Sequence, residues 1–172
     1  MKLLILIMFP FVAMGQSNLN FDIFESVRKG NLIQVKHILN QNPKIADSLN
    51  KHNHSLLIIA AYYEQQEILE YMLPLVSNIN HKSENGTALA AAVVKNNFYI
   101  INTLLEYNAN VNLTDAKGVS PLMYAILFKN TKVINLLLKH GADKSALDNT
   151  GKSTFEYAVS TGDQNIINLL KN

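Results

Sequence analysis

With 172 residues, 48% of them hydrophobic and 16% charged, the chain has the profile of one globular domain and not of a disordered segment. Fifteen basic and thirteen acidic residues give a net charge of +2 with no long block of one sign, so nothing points to nucleic acid, whose binders cluster Lys and Arg on one face. Cysteine is absent, which removes a disulfide framework, thiol catalysis and cysteine-based zinc sites and leaves packing to hold the fold.

Residues 1–15 read as a signal peptide. Lys2 supplies the positive start, Leu3 to Met14 an apolar stretch, and Ala13 and Gly15 the small residues before a cut at Gly15/Gln16. The stretch is too short to span a bilayer, which takes about 20 residues. An exported, periplasmic or extracellular protein is expected, with no membrane attachment after cleavage. Residues 16–20 then form a linker.

From residue 21 onward a period emerges. Segment 21–40 reads as two short helices, Phe21, Ile23, Phe24 and Val27 lining the first and Val35, Ile38 and Leu39 the second, with Gly30 turning the chain between them. Ser55, Thr87, Ser120 and Ser153 follow, spaced 32, 33 and 33 residues apart. Two residues after each comes a large apolar residue (Leu57, Leu89, Leu122, Phe155), and three further on an alanine (Ala60, Ala92, Ala125, Ala158). Ile68, Ile100, Val133 and Ile166 form a fourth column, and Met72, Leu104, Leu137 and Leu170 a fifth. A Ser or Thr that caps a helix, an alanine where helices approach closely, and an apolar stripe at helical spacing account for all of them.

Asp115-Ala-Lys-Gly-Val-Ser-Pro-Leu122 resembles the D-x-x-G-x-T-P-L opening of the ankyrin repeat family, and Gly141-Ala142-Asp143 resembles its closing G-A-D. Asp148-Asn-Thr-Gly-Lys-Ser153 repeats the opening. The resemblance implies an all-α solenoid of five helix–turn–helix repeats with projecting hairpin-like loops over 21–172, the repeats falling near 21–48, 49–81, 82–114, 115–147 and 148–172. Helices are expected near 21–29, 31–40, 55–63, 65–74, 87–95, 97–106, 120–128, 130–139, 153–160 and 163–171. Loops near 43–53, 76–86, 109–119 and 142–152 should project as fingers. The family's His after Pro-Leu is replaced by Ile58, Ala90, Met123 and Glu156, so its bracing hydrogen bonds are expected to be missing and the loops of repeats one to three softer. Asp163, Gln164, Asn165, Asn168 and Lys171 on the last helix read as a polar cap.

Several near-motifs fall to this register. Gly151-Lys152-Ser153-Thr154 has the ending of a phosphate-binding loop, but Ala146 stands where that loop needs its first glycine. His52, His54 and His81, with Glu84, lie on neighbouring fingers in a pattern open to zinc, yet are better read as solvated loop residues. Glu64, Glu67 and Glu70 recur at helical spacing as a solvated face, not the closed pocket a catalytic carboxylate pair needs. Asn53-His54-Ser55, Asn85-Gly86-Thr87 and Asn112-Leu113-Thr114 are formal glycosylation sequons. No catalytic set, metal site or cofactor is expected.

The resemblance also implies a concave binding face made of finger tips and the exposed side of each first helix. By position that face holds Tyr62, Tyr63, Val94, Lys95, Leu127 and Phe128, then Ser160 and Thr161. Its finger sites include Lys51, His52, His54, Ser83, Glu84, Gly86, Ala116, Lys117, Val119, Asn149, Thr150 and Lys152. Tyr62, Tyr63, Val94, Leu127 and Phe128 form an apolar strip that repeat packing does not demand, and such strips mark interaction sites. The expectation is a monomeric, non-catalytic scaffold that binds another protein. An immunity or inhibitor protein against a toxin or enzyme is the narrower alternative, and a metal- or small-ligand-binding protein the third.

Overall fold

The computed structural model describes residues 22–171. The signal peptide, the linker and Phe21 lie outside the described residues. Five helix pairs follow one another: α1 (Ile23–Arg28) with α2 (Leu32–Gln41), α3 (Leu56–Tyr62) with α4 (Gln66–Met72), α5 (Ala88–Val94) with α6 (Phe98–Glu106), α7 (Pro121–Leu127) with α8 (Thr131–Lys139), and α9 (Thr154–Thr161) with α10 (Gln164–Lys171). First helices pack side by side in the order α1, α3, α5, α7, α9, while α2, α4 and α6 form a second layer. One element was not expected: a 3-10 turn, Pro43–Asp47, occupies the start of the first predicted finger and buries Ala46.

Each first helix starts and stops for a local reason. Ser55, Thr87, Ser120 and Ser153 accept a hydrogen bond from the amide three residues on, satisfying one of the orphan donors of the first turn. The stop is a left-handed residue, one per repeat: Gly30, Glu64, Asn96, Lys129 and Gly162, with φ between 53° and 74°. In the first four repeats the next amide reaches back to the carbonyl of the third-from-last helical residue, Ser26, Ala60, Ala92 or Ala125, and closes a C-capping loop. Asn31, Asn97 and Asn130 then cap the second helix with their side-chain oxygens. The column alanines are at most 1% exposed, because any larger side chain would push neighbouring helices apart.

Leu57, Leu89 and Leu122 are likewise buried. Phe155 is the same column in the last pair, and it is 37% exposed with Val159 at 50% beside it. The polar residues of α10 are exposed as expected, but the outward side of α9 is not polar.

The fingers share one construction. Asn50, Asp115 and Asp148 each accept two backbone N–H groups on one side-chain oxygen, two and four residues ahead. Asn53, Gly118 and Gly151 follow three residues after them with positive φ. The finger before Thr87 is one residue tighter, closing from Ser83 to Gly86, and this is where the 32-residue spacing loses its residue.

The bracing that the missing histidines led us to discount is supplied elsewhere. His81 Nε2 bonds the Asn53 carbonyl at 2.9 Å, Asn53 Nδ2 donates to the Lys82 carbonyl, and the amides of Ala116 and Asn149 donate to the carbonyls of Glu84 and Lys117 on the preceding fingers. Glu156, at the family's His position, closes a capping box with Ser153, and Met123 occupies the matching place beside Ser120. At the finger bases a second row of side chains links successive repeats: Asp47 to Ser77, Asn80 to Asn110, and Asn112 to Asp143.

Candidate partner-binding groove

A groove of about 510 Å³ runs across repeats two to four. Its floor is Ile58, Ile59 and Ala91, and its walls are Tyr62, Tyr63, Val94, Tyr124 and Phe128. His54 and Asn85 close it on the finger side. Of the residues expected on this surface, Tyr62 (48% exposed), Tyr63, Val94 and Phe128 (52%) line the groove, while Leu127 is exposed beside it. Lys51, His52, Glu84, Lys95 and Lys117 are exposed around it.

Val119 is a correction. Its N–H donates to Asp115 Oδ1 at 2.9 Å and its carbonyl accepts from the Asp115 amide at 3.1 Å. This pair of bonds folds the finger base inward, and Val119 is 8% exposed, in the core and not on the face.

The rings are held, not loose. Tyr62 and Tyr63 meet edge to face with centroids 5.3 Å apart. Lys95 Nζ lies 5.2 Å from the Tyr62 ring and the Arg28 guanidinium 5.8 Å from Tyr63. Phe128 stacks on Tyr124 at 6.4 Å, one helical turn earlier. Tyr124 in turn is fixed by its hydroxyl, which donates to Asp115 Oδ2 at 2.6 Å. Burial, reinforced by that carboxylate, pushes the Tyr124 hydroxyl up to about 12.

Ile58, Ile59, Ala91 and Tyr124 were missed from the sequence. The signal was present in the register: Ile59, Ala91, Tyr124 and Tyr157 all stand one residue before a column alanine. Tyr157 repeats the arrangement of Tyr124, donating to Asp148 Oδ2 at 2.7 Å.

The histidines have architectural duties. Asn85 Nδ2 donates to His54 Nε2 at 3.2 Å, which requires the neutral imidazole with that nitrogen unprotonated. Burial, then the neighbouring His52, lowers the His54 pKa below its ordinary value. His81 is committed to Asn53. Among the described residues no group of three His, Asp or Glu side chains is placed to hold a metal ion. In the phosphate-loop look-alike, Lys152 Nζ lies 4.4 Å from the Tyr157 ring, Ser153 caps α9 and Thr154 is fully buried with its hydroxyl on the Ala146 carbonyl. Glu64 bonds Asn97 and lies 3.9 Å from Lys95, and Glu70 accepts the Tyr99 hydroxyl.

Comparison with known proteins agrees with this architecture. The chain is 27% identical over 115 residues to an inactive serine/threonine-protein kinase TEX14 of Bos taurus, which covers 66% of this chain and 8% of the relative. It is 29% identical over 104 residues to ankyrin repeat and SOCS box protein 11 of Mus musculus, covering 60% of this chain and 32% of the relative. It is also 29% identical over 99 residues to a putative ankyrin repeat protein of Borreliella burgdorferi, covering 57% and 45%. The matched part is thus less than half the length of each of these relatives. A family model of ankyrin repeats in three copies matches residues 23–115 and 107–172, and the chain belongs to the ankyrin repeat family.

Proposed function

We propose that this chain is a non-catalytic scaffold that binds a partner protein through the groove between its fingers and first helices. One observation carries the proposal: Tyr62, Tyr63 and Phe128 stay 42% to 52% exposed around a 510 Å³ groove, while Leu56, Leu57, Ile58 and Ile59 of α3 and Leu122, Met123 and Ile126 of α7 are buried. Internal packing does not need those rings. Held aromatics at the centre of an apolar recess, rimmed by polar groups, are the usual anchors of a protein interface. Ankyrin repeats, as a family, fit a protein-interaction role. Export belongs to the same proposal and is supported by the Lys2, Leu3–Met14, Gly15 pattern.

The test is capture of partner proteins from the native host by the wild-type chain and by a Tyr62→Ala, Tyr63→Ala, Phe128→Ala triple variant. Partner capture should vanish in the variant while its circular dichroism spectrum stays helical. Equal capture by both proteins, or no partner that distinguishes them, refutes the groove as the binding site.

A further inference from the structure

The two ends of the stack differ. Leu57, Leu89 and Leu122, and four residues after each of them Ala61, Val93 and Ile126, are at most 2% exposed. Ile23 and Val27 hold the same places in α1 and are buried too. Phe155 and Val159 hold them in α9, where they are 37% and 50% exposed. The second layer repeats the pattern in weaker form: Leu69, Ile101 and Ile134 are buried, and Ile167 of α10 is only half-buried. These positions are covered in each repeat that another follows and bare in the last described one, so their cover is what a following helix pair supplies.

Repeat stacks ordinarily close on polar outer surfaces. The α1 end does so: Asp22 caps the helix, and Glu25 pairs with Arg28 and Lys29. The α9 end does not. Its one charge between the two apolar side chains, Glu156, is drawn back onto Ser153, from whose amide and hydroxyl it accepts bonds at 2.7 Å and 2.8 Å. What faces outward is a ring and a branched side chain four residues apart, one helical turn along the same side.

We propose that the outward face of α9 is a self-association surface, on which a second copy of the chain lies antiparallel with Phe155 of each copy against Val159 of the other. A two-fold axis at the level of Tyr157 exchanges the two positions, so the larger side chain meets the smaller one twice, as a self-complementary contact requires. Head-to-tail stacking would instead set the charged α1 end on Phe155 and Val159, and Glu25 and its cations would lose water without new partners. A net charge of only +2 per chain raises little repulsion between copies. An end face two short helices wide falls below the roughly 800 Å² per partner of a standard interface, so the dissociation constant is expected on the order of 10 to 100 µM. Below that concentration the chain is the monomer expected from its sequence. Phe155 and Val159 do not line the groove, so both copies keep it open and the dimer is bivalent.

Sedimentation velocity of the full chain over about 1 to 500 µM tests this. The weight-average mass should climb from 19.2 kDa toward twice that value. The Phe155→Asp, Val159→Asp variant should stay at the lower mass with an unchanged circular dichroism spectrum, since both side chains are exposed. It keeps residues 1–21, so any association through them persists in the variant and is told apart. The absence of cysteine allows the pairing to be read directly. Phe155→Cys and Val159→Cys proteins, mixed in equal amounts and oxidised, should join to each other in more than the statistical half of the disulfide-linked product. A monomer at every concentration overturns the proposal, and so does a mass increase that the double Asp variant shares. A mixed disulfide at or below half overturns the antiparallel pairing. None of these outcomes bears on the groove, whose test is partner capture.

Discussion

Asp115→Ala is the most informative single change in the fold. Asp115 is 5% exposed and accepts three hydrogen bonds, from the amides of Lys117 (2.8 Å) and Val119 (2.9 Å) and from the Tyr124 hydroxyl (2.6 Å). Lys117 is exposed, so its amide turns to water at little cost. The Val119 amide is buried and loses its partner outright, a penalty of about 1–3 kcal/mol, and a hydrogen bond to a charged acceptor such as that from Tyr124 contributes about 1.5–3 kcal/mol. Since these effects overlap, the expected loss is about 3–4 kcal/mol. Tyr124→Phe removes one of the three bonds and should cost about 1.5–2 kcal/mol. In the double variant the two losses should fall short of their sum by about 1.5 kcal/mol, because both report one contact. Urea titrations of the four proteins, followed by far-ultraviolet circular dichroism, measure this, provided the m-values agree. A loss below about 1 kcal/mol for Asp115→Ala, or additivity within about 0.3–0.5 kcal/mol, refutes the account of how the finger is fixed to the groove.

Other predictions follow from backbone and charge. A Cβ on Gly118, whose φ is +78°, would lie 2.5 Å from Asn149 Oδ1 and 2.7 Å from its amide nitrogen, whereas one on Gly151 meets nothing within 4 Å. Gly118→Ala should therefore destabilise clearly more than Gly151→Ala, which bears only the left-handed penalty of about 1–2 kcal/mol; equal losses in thermal melts refute the contact. Lys129 holds φ 53° without needing its side chain there, so Lys129→Gly should stabilise by about 0.5–1 kcal/mol in urea, and a loss of stability would count against the strain. His54 has a folded pKa lowered from 6.5, chiefly by burial. The unfolded chain then binds the proton more readily, so stability should fall as pH drops from about 6.5 toward the folded pKa. His54→Gln should flatten that part of the pH profile, and an unchanged slope assigns it to other groups.

Much of the fold was legible because ankyrin repeats translate packing into fixed spacing. The alanine column, the Ser/Thr caps and the apolar stripes each answer to one local requirement, and the helices lie within a few residues of their expected places. Val119 was misplaced because a finger position says nothing of which way the Asx turn at Asp115 folds the backbone. Tyr124 escaped because an aromatic beside a buried alanine reads as core until its hydroxyl partner, nine residues away, shows the ring standing at the groove edge. The inter-finger hydrogen bonds were unreadable for a simpler reason. His81, Asn53 and Asn85 look like generic loop polars, and their partners lie about one repeat away in sequence. The 32-residue spacing showed that a residue was missing but not which loop lost it.

The turns between paired helices are laced as well as the fingers. Gln65 Nε2 reaches the Arg28 carbonyl, Asn97 reaches Glu64, and Asn130 reaches Asn96, one stitch per repeat boundary. Among the described residues the series stops there: Gly162 and Asp163 make no such bond to the preceding turn. Mechanically the stack is a strip seamed along two edges, with one seam open at its last unit. Pulled or warmed, it should peel from the α9–α10 end, so that amide exchange advances from the C-terminal pair inward while repeats two to four, and the groove with them, stay closed longest.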